Sequence, residues 1–277
     1  GTVYGSDKAL KYPMKKMWDD EGKKVLYIKS MKFGENNTLI PKSIKERYED
    51  IFHVDKLEDA KDGKEVLTNL LSAVDVKNFG ATFAEPKAKV NVAVQFGQGF
   101  NKYEGTTAEE QQILSPFRDA KDEEKKEEAK NSTLGTKITS NEAHYFYPFV
   151  INPMTYKEWI KLGVTEGYTE EDYQNFKRTA LVATTSYATN AKEGCENEFA
   201  IFVETDPDLY LPNLSEYITF KKEEEINVID ISDCTEILSA MKDRIKNVEV
   251  YYNPYTTKLV SAIEEAKIYN IVTQKEV

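Results

Sequence analysis

Residues 90–102 read VNVAVQFGQGFNK, and this stretch decides between two kinds of fold. Apolar residues at 90, 92, 94 and 96 alternate with Asn91, Ala93 and Gln95, which is the two-residue period of a half-buried strand. The strand then meets two glycines, Gly97 and Gly99. It leads either into a phosphate-binding loop or out of its sheet.

The two glycines do not fit a nucleotide-binding loop. A dinucleotide fingerprint needs a third glycine at position 102 and a helix immediately after it, whereas this chain has Lys102 and no helical pattern. The Gly-Lys-Ser/Thr ending of a P-loop is also missing. We therefore expect the glycines to let the strand bend or to let another chain segment approach closely.

Length and composition fit one large domain, or a domain with insertions. The 277 residues are 40% apolar and 12% aromatic, and no run of 18 apolar residues predicts a membrane span. Cys195 and Cys234 lack metal-ligand spacing, so we expect reduced thiols in a cytoplasmic protein without metal or cofactor. His144 opens an aromatic strand, and we expect it to be a structural histidine rather than a general base.

Helical and extended patterns alternate irregularly along the chain, which predicts an α+β class. The helical patterns begin at Ser6 and lie at 57–74, 169–188 and 235–246. The extended patterns lie at 24–31, 79–84, 90–96, 143–151, 198–204, 226–231 and 248–252. Between two of these strands, residues 103–141 are long and polar, with a charged run at 119–130, and predict an extended hairpin that projects from the body.

Charge is distributed unevenly. The net charge is −11, but residues 1–102 carry +3, and the first 32 residues hold eight lysines against four acids. Phosphate attraction is screened over about 8 Å at physiological salt, so a local basic surface can bind a polyanion even on an acidic chain.

The first helix holds that basic surface. Ser6 is a predicted N-cap, and Lys8, Lys11 and Lys15 fall on one stripe because residues three or four apart are neighbours on a helix. Lysines supply point charges that suit phosphates without reading bases. Pro13 is expected to kink the helix. Taken alone, the stripe fits a nucleic-acid backbone site or a solvated lysine face.

Several motifs together resemble one family. SDKALKYPMKK at 6–16 resembles the RNA-binding helix of the CRISPR-associated Cascade backbone subunits, which are members of the RAMP superfamily. The sequence resembles the type I-B branch of that family most. VNVAVQFGQGFNK resembles the strand that enters their thumb hairpin, and STLGTKITSNEAHYFYPFVIN at 132–152 resembles the returning strand. FGA at 79–81 resembles the turn before that strand. The likeness spans about residues 2–252.

The resemblance implies a fold and a function. The fold is a modified ferredoxin-like (RRM-type) palm forming a single domain over 1–277, with finger segments inserted at about 32–78 and a thumb hairpin at about 98–143. The function is a non-catalytic subunit that polymerises along a CRISPR RNA and presents it to target DNA in antiviral defence. Implied partners are the guide, target DNA, further copies of the chain, and the 5′-handle-binding and large subunits, with no membrane.

Residue by residue, the resemblance assigns guide contacts to Ser6, Lys8, Lys11 and Lys15 and places Thr82 near the bases. It also implies guide contacts by four residues of the thumb, namely Gln98, Asn101, Lys102 and Lys137. The family's palm opens with a strand before this helix, and that first strand is expected to be missing from the sequence. The alternatives are a metal-dependent RNA endonuclease of the same superfamily, with Asp7 as the nearby carboxylate, and a filament protein that binds no RNA.

Overall fold

The structure, a computed structural model, describes residues 2–57, 62–83, 88–116 and 133–277. The fold is α+β, as predicted. None of the helices in these ranges is long and apolar enough to cross a membrane. The charged run at 119–130 lies outside the described residues.

The stretch quoted above contributes to two small antiparallel sheets, which we call together the palm sheet. One contains β6 (Val94–Phe96) and the other contains β7 (Gly99–Asn101), and between them the Gly97 N–H donates to the Pro148 carbonyl at 2.8 Å. The returning segment supplies β10 (Tyr145–Phe146), which pairs with β7, and β11 (Phe149–Ile151), which pairs with β6. On the other side of β7 lies β1 (Tyr4–Gly5). Residues 4 and 5 thus form a two-residue strand beside β7, immediately before the first helix, where the first palm strand was expected to be missing.

The glycines of this sheet make room for an aromatic ring and a proline. A Cβ built on Gly99 would lie 2.4 Å from Cε2 of Tyr147, and one on Gly97 would lie 2.8 Å from Cγ of Pro148. Tyr147 also covers Gly5, whose Cβ would meet its hydroxyl oxygen at 2.0 Å. Close approach, rather than a phosphate cradle, explains the G-x-G spacing.

Two helices pack on one face of the palm sheet. They are α1 (Asp7–Asp20) and α6 (Glu170–Ser186), which starts at a Thr169 capping box. Trp18 and Phe176 are fully buried beside Phe96 in their shared core, and Trp18 Nε1 donates to Thr179 Oγ1 at 2.8 Å. Burial of large apolar side chains at about 25 cal/mol per Å² stabilises this layer. Helix α1 runs continuously through the buried Pro13.

A second core is built mostly by the chain segment between α1 and the palm strands. Its elements are α2 (Ile44–Phe52), α3 (Gly63–Ser72), α4 (Val74–Phe79), β4 (Ala81–Phe83), β5 (Ala88–Val90) and α5 (Lys157–Lys161). The same segment also forms an exposed strand pair, β2 (Met31–Phe33) and β3 (Leu39–Pro41). The predicted helix at 57–74 is thus α3 followed by α4. The predicted strand at 24–31 is wrong: within the described range 2–57, residues 24–30 are irregular. The buried carboxylate of Asp75 accepts the Leu26 and Tyr27 N–H groups, each at 2.8 Å, and this holds the segment without a sheet partner.

The projecting hairpin consists of β8 (Ala108–Leu114) and β9 (Thr133–Ser140), which pair antiparallel. Its root is closed by Thr106 Oγ1, which donates to the Glu142 carbonyl at 2.7 Å. Ile113, Leu114 and Ile138 are exposed along it.

The C-terminal part forms two three-stranded sheets around a third core. One sheet contains β12 (Phe199–Thr205), β15 (Ile245–Tyr252) and β17 (Lys267–Asn270), and the other contains β13 (Thr219–Glu223), β14 (Ile226–Asp230) and β16 (Thr257–Val260). Helix α7 (Cys234–Ala240) lies between β14 and β15 along the chain and is shorter than the predicted 235–246. The third core borders the palm through Phe146, whose ring centroid lies 6.2 Å from that of Phe199.

Candidate nucleic-acid interface

The start of α1 is fixed by its cap. Ser6 has extended backbone angles, and its Oγ accepts the Ala9 N–H at 3.2 Å. The cap satisfies one of the unpaired N–H groups that every helix N-terminus carries. The positive end of the helix dipole therefore lies where the lysine stripe begins, which favours an anion there.

The predicted lysine stripe is present as one surface. Lys8, Lys11 and Lys15 line a shallow cavity of about 240 Å³ together with Tyr12. Lys8 is exposed and has no ion-pair partner among the described residues. Lys11 is paired with Asp7 at 2.8 Å, and the hydrogen bond from Lys11 lowers the pKa of the Asp7 carboxyl.

Two aromatic rings lie beneath the inner end of the stripe. The ammonium of Lys15 is 5.7 Å from the ring centroid of Tyr27 and 5.9 Å from that of Phe79, and Lys11 is 5.2 Å from Phe79. These distances are within the range of cation–π attraction. Burial lowers the pKa of Lys15, while the charge of nearby Asp75 opposes that shift. The contacts with the two rings hold the Lys15 side chain in place at the inner end of the stripe.

Thr82 lies next to this group of side chains. The Tyr27 hydroxyl donates to the Thr82 carbonyl at 2.8 Å, and the Thr82 side chain is exposed on β4. Ser6 begins the helix that carries the three lysines, and Thr82 is linked to Lys15 through Tyr27, so these residues form one group. We call it the lysine face, and it comprises Ser6, Lys8, Lys11, Tyr12, Lys15, Tyr27, Phe79 and Thr82.

The predicted thumb residues are not part of this face and have different surroundings. Gln98 is exposed between β6 and β7, and Lys137 is half-buried on β9 opposite Gln111. Asn101 accepts the N–H groups of Tyr103 and His144, and its amide donates back to the hairpin root, so it holds that root together.

Lys102 is engaged within the protein. Its ammonium donates to the carbonyls of Ser215 at 2.5 Å and Ile218 at 2.8 Å, and burial lowers the pKa of Lys102. A lysine held by two carbonyls joins the palm to the C-terminal sheets rather than facing a ligand.

Sequence reasoning missed Tyr12, Tyr27 and Phe79 on the lysine face. Tyr12 directly follows Lys11 and lies four residues from Lys8, so helical spacing alone could have placed it beside the lysine stripe. Tyr27 and Phe79 come from an irregular segment and from the end of α4, and only the folded chain brings them under Lys15. In the described parts of the chain, no group of three or more His, Cys, Asp or Glu side chains is placed to hold a metal ion.

The family model for CRISPR-associated protein Cas7 matches residues 1–239 and so ends within α7, leaving β15–β17 beyond it. A search of solved structures matched a chain described as "CRISPR RNA-guided surveillance complex, pre-nicking", with a TM-score of 0.46 and 15% identity over 98% of this chain and 82% of that one. No curated protein matches the sequence significantly. The family model covers well over half of the residues, and the chain belongs to the CRISPR-associated Cas7 family.

Proposed function

We propose that this chain is a non-catalytic, CRISPR RNA-binding backbone subunit of a type I (I-B-like) Cascade surveillance complex. It binds the guide without reading its sequence, polymerises along it, and presents it for pairing with target DNA. The further partners are other copies of the chain, the 5′-handle-binding subunit and the large subunit. We place the protein in the cytoplasm.

One observation carries the proposal: the lysine face on α1. Three lysines, a capped helix N-terminus and two underlying rings form a cationic surface on an otherwise acidic chain. Lysine ammonium groups attract phosphates whatever the attached base, so this surface suits a backbone grip shared by all guides.

The remaining parts have roles that follow from this arrangement. We assign the single unit 1–277 to a palm with fingers at about 32–78 and a thumb at about 98–143. Within the thumb, Gln98 and Lys137 remain candidate guide contacts. Asn101 and Lys102 act through the fold, because the bonds they make within the chain support the thumb root.

The experiment is to mix the purified chain with single-stranded RNAs of increasing length and unrelated sequence, in Mg²⁺, and to measure complex mass. We expect the mass to rise in steps of one chain as the RNA lengthens, equally for all sequences, with the RNA intact. A single bound copy at every length, or strong sequence preference, contradicts the proposal. RNA cut at regular intervals would favour the metal-dependent endonuclease instead.

A further inference from the structure

His144 lies between two carboxylates at the root of the β8–β9 hairpin. Its Nδ1 is 2.6 Å from Glu198 Oε2, and its Nε2 is 3.0 Å from Glu142 Oε1. The ring stacks on Phe220 with centroids 4.1 Å apart, and the edge of Tyr103 faces it at 6.0 Å. The His144 side chain is only 12% exposed.

This geometry requires a protonated ring. A neutral imidazole has one N–H donor, so its other nitrogen would place a lone pair against a carboxylate oxygen. An imidazolium donates to both glutamates at once. Burial works against the charged ring, but the hydrogen bonds that the ring donates to Glu198 and Glu142 outweigh it, so the pKa of His144 lies above its ordinary value of 6.5.

The charges around His144 balance only when it is protonated. Glu142 also accepts from Lys222 at 2.8 and 2.9 Å, and Lys222 lies 6.0 Å from the ring of Tyr103. Behind the histidine, Glu198 accepts from Asn227 at 2.8 Å and Thr257 at 2.9 Å. Two carboxylates, one ammonium and one imidazolium sum to zero, and loss of the imidazolium proton leaves an unbalanced negative charge in a half-buried site.

The cluster joins parts of the chain that are far apart in sequence. Glu142 and His144 lie between β9 and β10, at the point where the hairpin re-enters the palm. Glu198 immediately precedes β12, and Lys222 lies in β13, so each belongs to one of the two C-terminal sheets. The His144 N–H donates to Asn101 Oδ1 at 2.9 Å on the outgoing side of the root.

We propose that His144, as an imidazolium, is a positioning residue that fixes the direction of the β8–β9 hairpin by tying its root to both C-terminal sheets, and that deprotonation releases the root. The tie is complete below about pH 6.5 and is lost as pH rises through the raised pKa of folded His144. It also weakens in acid, once Glu142 and Glu198 protonate below their ordinary 4.5. Any consequence for guide binding rests on the proposed function, whereas the release itself does not.

The test uses the full chain without RNA, so its outcome is independent of RNA binding. The chain has only two histidines, so a His53→Gln variant assigns the imidazole signals in a nitrogen-detected NMR titration. In parallel, hydrogen exchange is followed at the root amides of Lys102, Thr107 and His144, corrected for intrinsic pH dependence. We expect exchange to accelerate over the same pH range in which His144 loses its proton, by about tenfold for each unit of pKa shift.

Two variants separate this role from simple packing. Glu142→Gln should move the His144 titration and the root exchange to lower pH together. His144→Phe keeps a ring on Phe220 but has no donor, so root exchange should be fast and flat with pH; His53→Gln should leave it as in the parent chain. Any one of three results overturns the proposal. The first is a neutral His144 at pH 6, and the second is root exchange that does not change with pH in the parent chain. The third is a His144 titration that shifts in Glu142→Gln while the pH dependence of root exchange stays where it was.

Discussion

Gly99→Ala tests whether the G-x-G spacing exists to accommodate Tyr147. The new Cβ would lie 2.4, 2.5 and 2.7 Å from three atoms of the tyrosine ring, whereas carbon atoms in contact prefer about 3.5–4.0 Å. The ring has little freedom to retreat, because its hydroxyl end covers Gly5 and its body packs in the core beneath α1.

The expected loss follows from these distances. Overpacking of this kind costs about 1–3 kcal/mol, and a Gly→Ala change returns about 0.4–1 kcal/mol by restricting the unfolded chain. We therefore expect Gly99→Ala to lower the free energy of unfolding by about 1–2 kcal/mol, measured from urea midpoints by tryptophan fluorescence.

Gly63→Ala is the matched control, because its Cβ would meet no atom within 4 Å at the start of α3. It should leave stability unchanged or raise it. In a Tyr147→Leu background the Gly99→Ala change should lose most of its cost. If Gly99→Ala were as harmless as Gly63→Ala in the parent chain, the close-packing explanation would be refuted.

Three further substitutions test individual contacts. Lys102→Met should lower the free energy of unfolding by about 1–3 kcal/mol, because two carbonyls lose their donor, while RNA affinity stays constant; a drop in affinity without destabilisation would return Lys102 to the RNA site. Asp7→Asn should raise RNA affinity at low salt by about two- to fivefold in a filter-binding assay, because it removes a negative charge from the lysine face and frees Lys11 from a part-buried ion pair; weaker binding would contradict this. Asp75→Asn should destabilise the chain by about 1–3 kcal/mol in a thermal melt, because one of two bound N–H groups then faces an amide donor, and an unchanged melting temperature would contradict this.

The elements that sequence patterns predicted well are those determined locally. The Ser6 cap and the three-four spacing of the lysines predicted the start of α1 and its basic stripe, and the acidic first turn predicted α6. These signals lie within one or two helical turns, so they require no knowledge of distant residues.

The failures share one cause, which is contact between residues far apart in the chain. Residues 24–30 have a strand-like pattern, but Asp75 accepts the N–H groups of Leu26 and Tyr27, which lie 49 and 48 positions away. The contacts of Lys102 were also hidden from sequence reasoning, because the carbonyls that accept its hydrogen bonds lie 113 and 116 positions away. The rings under Lys15 could not be predicted for the same reason.

The salt dependence of RNA affinity tests the central claim most directly. Lys8→Ala with Lys11→Ala removes two cations from the lysine face, and Lys242→Ala with Lys246→Ala removes two exposed lysines from the C-terminal part. For single-stranded RNA each lost phosphate contact lowers the slope of log K against log salt by about 0.7, so the first pair should reduce it by about 1.4 and the second should leave it unchanged. Equal effects from both pairs, or no effect from the first, would contradict a phosphate grip on α1.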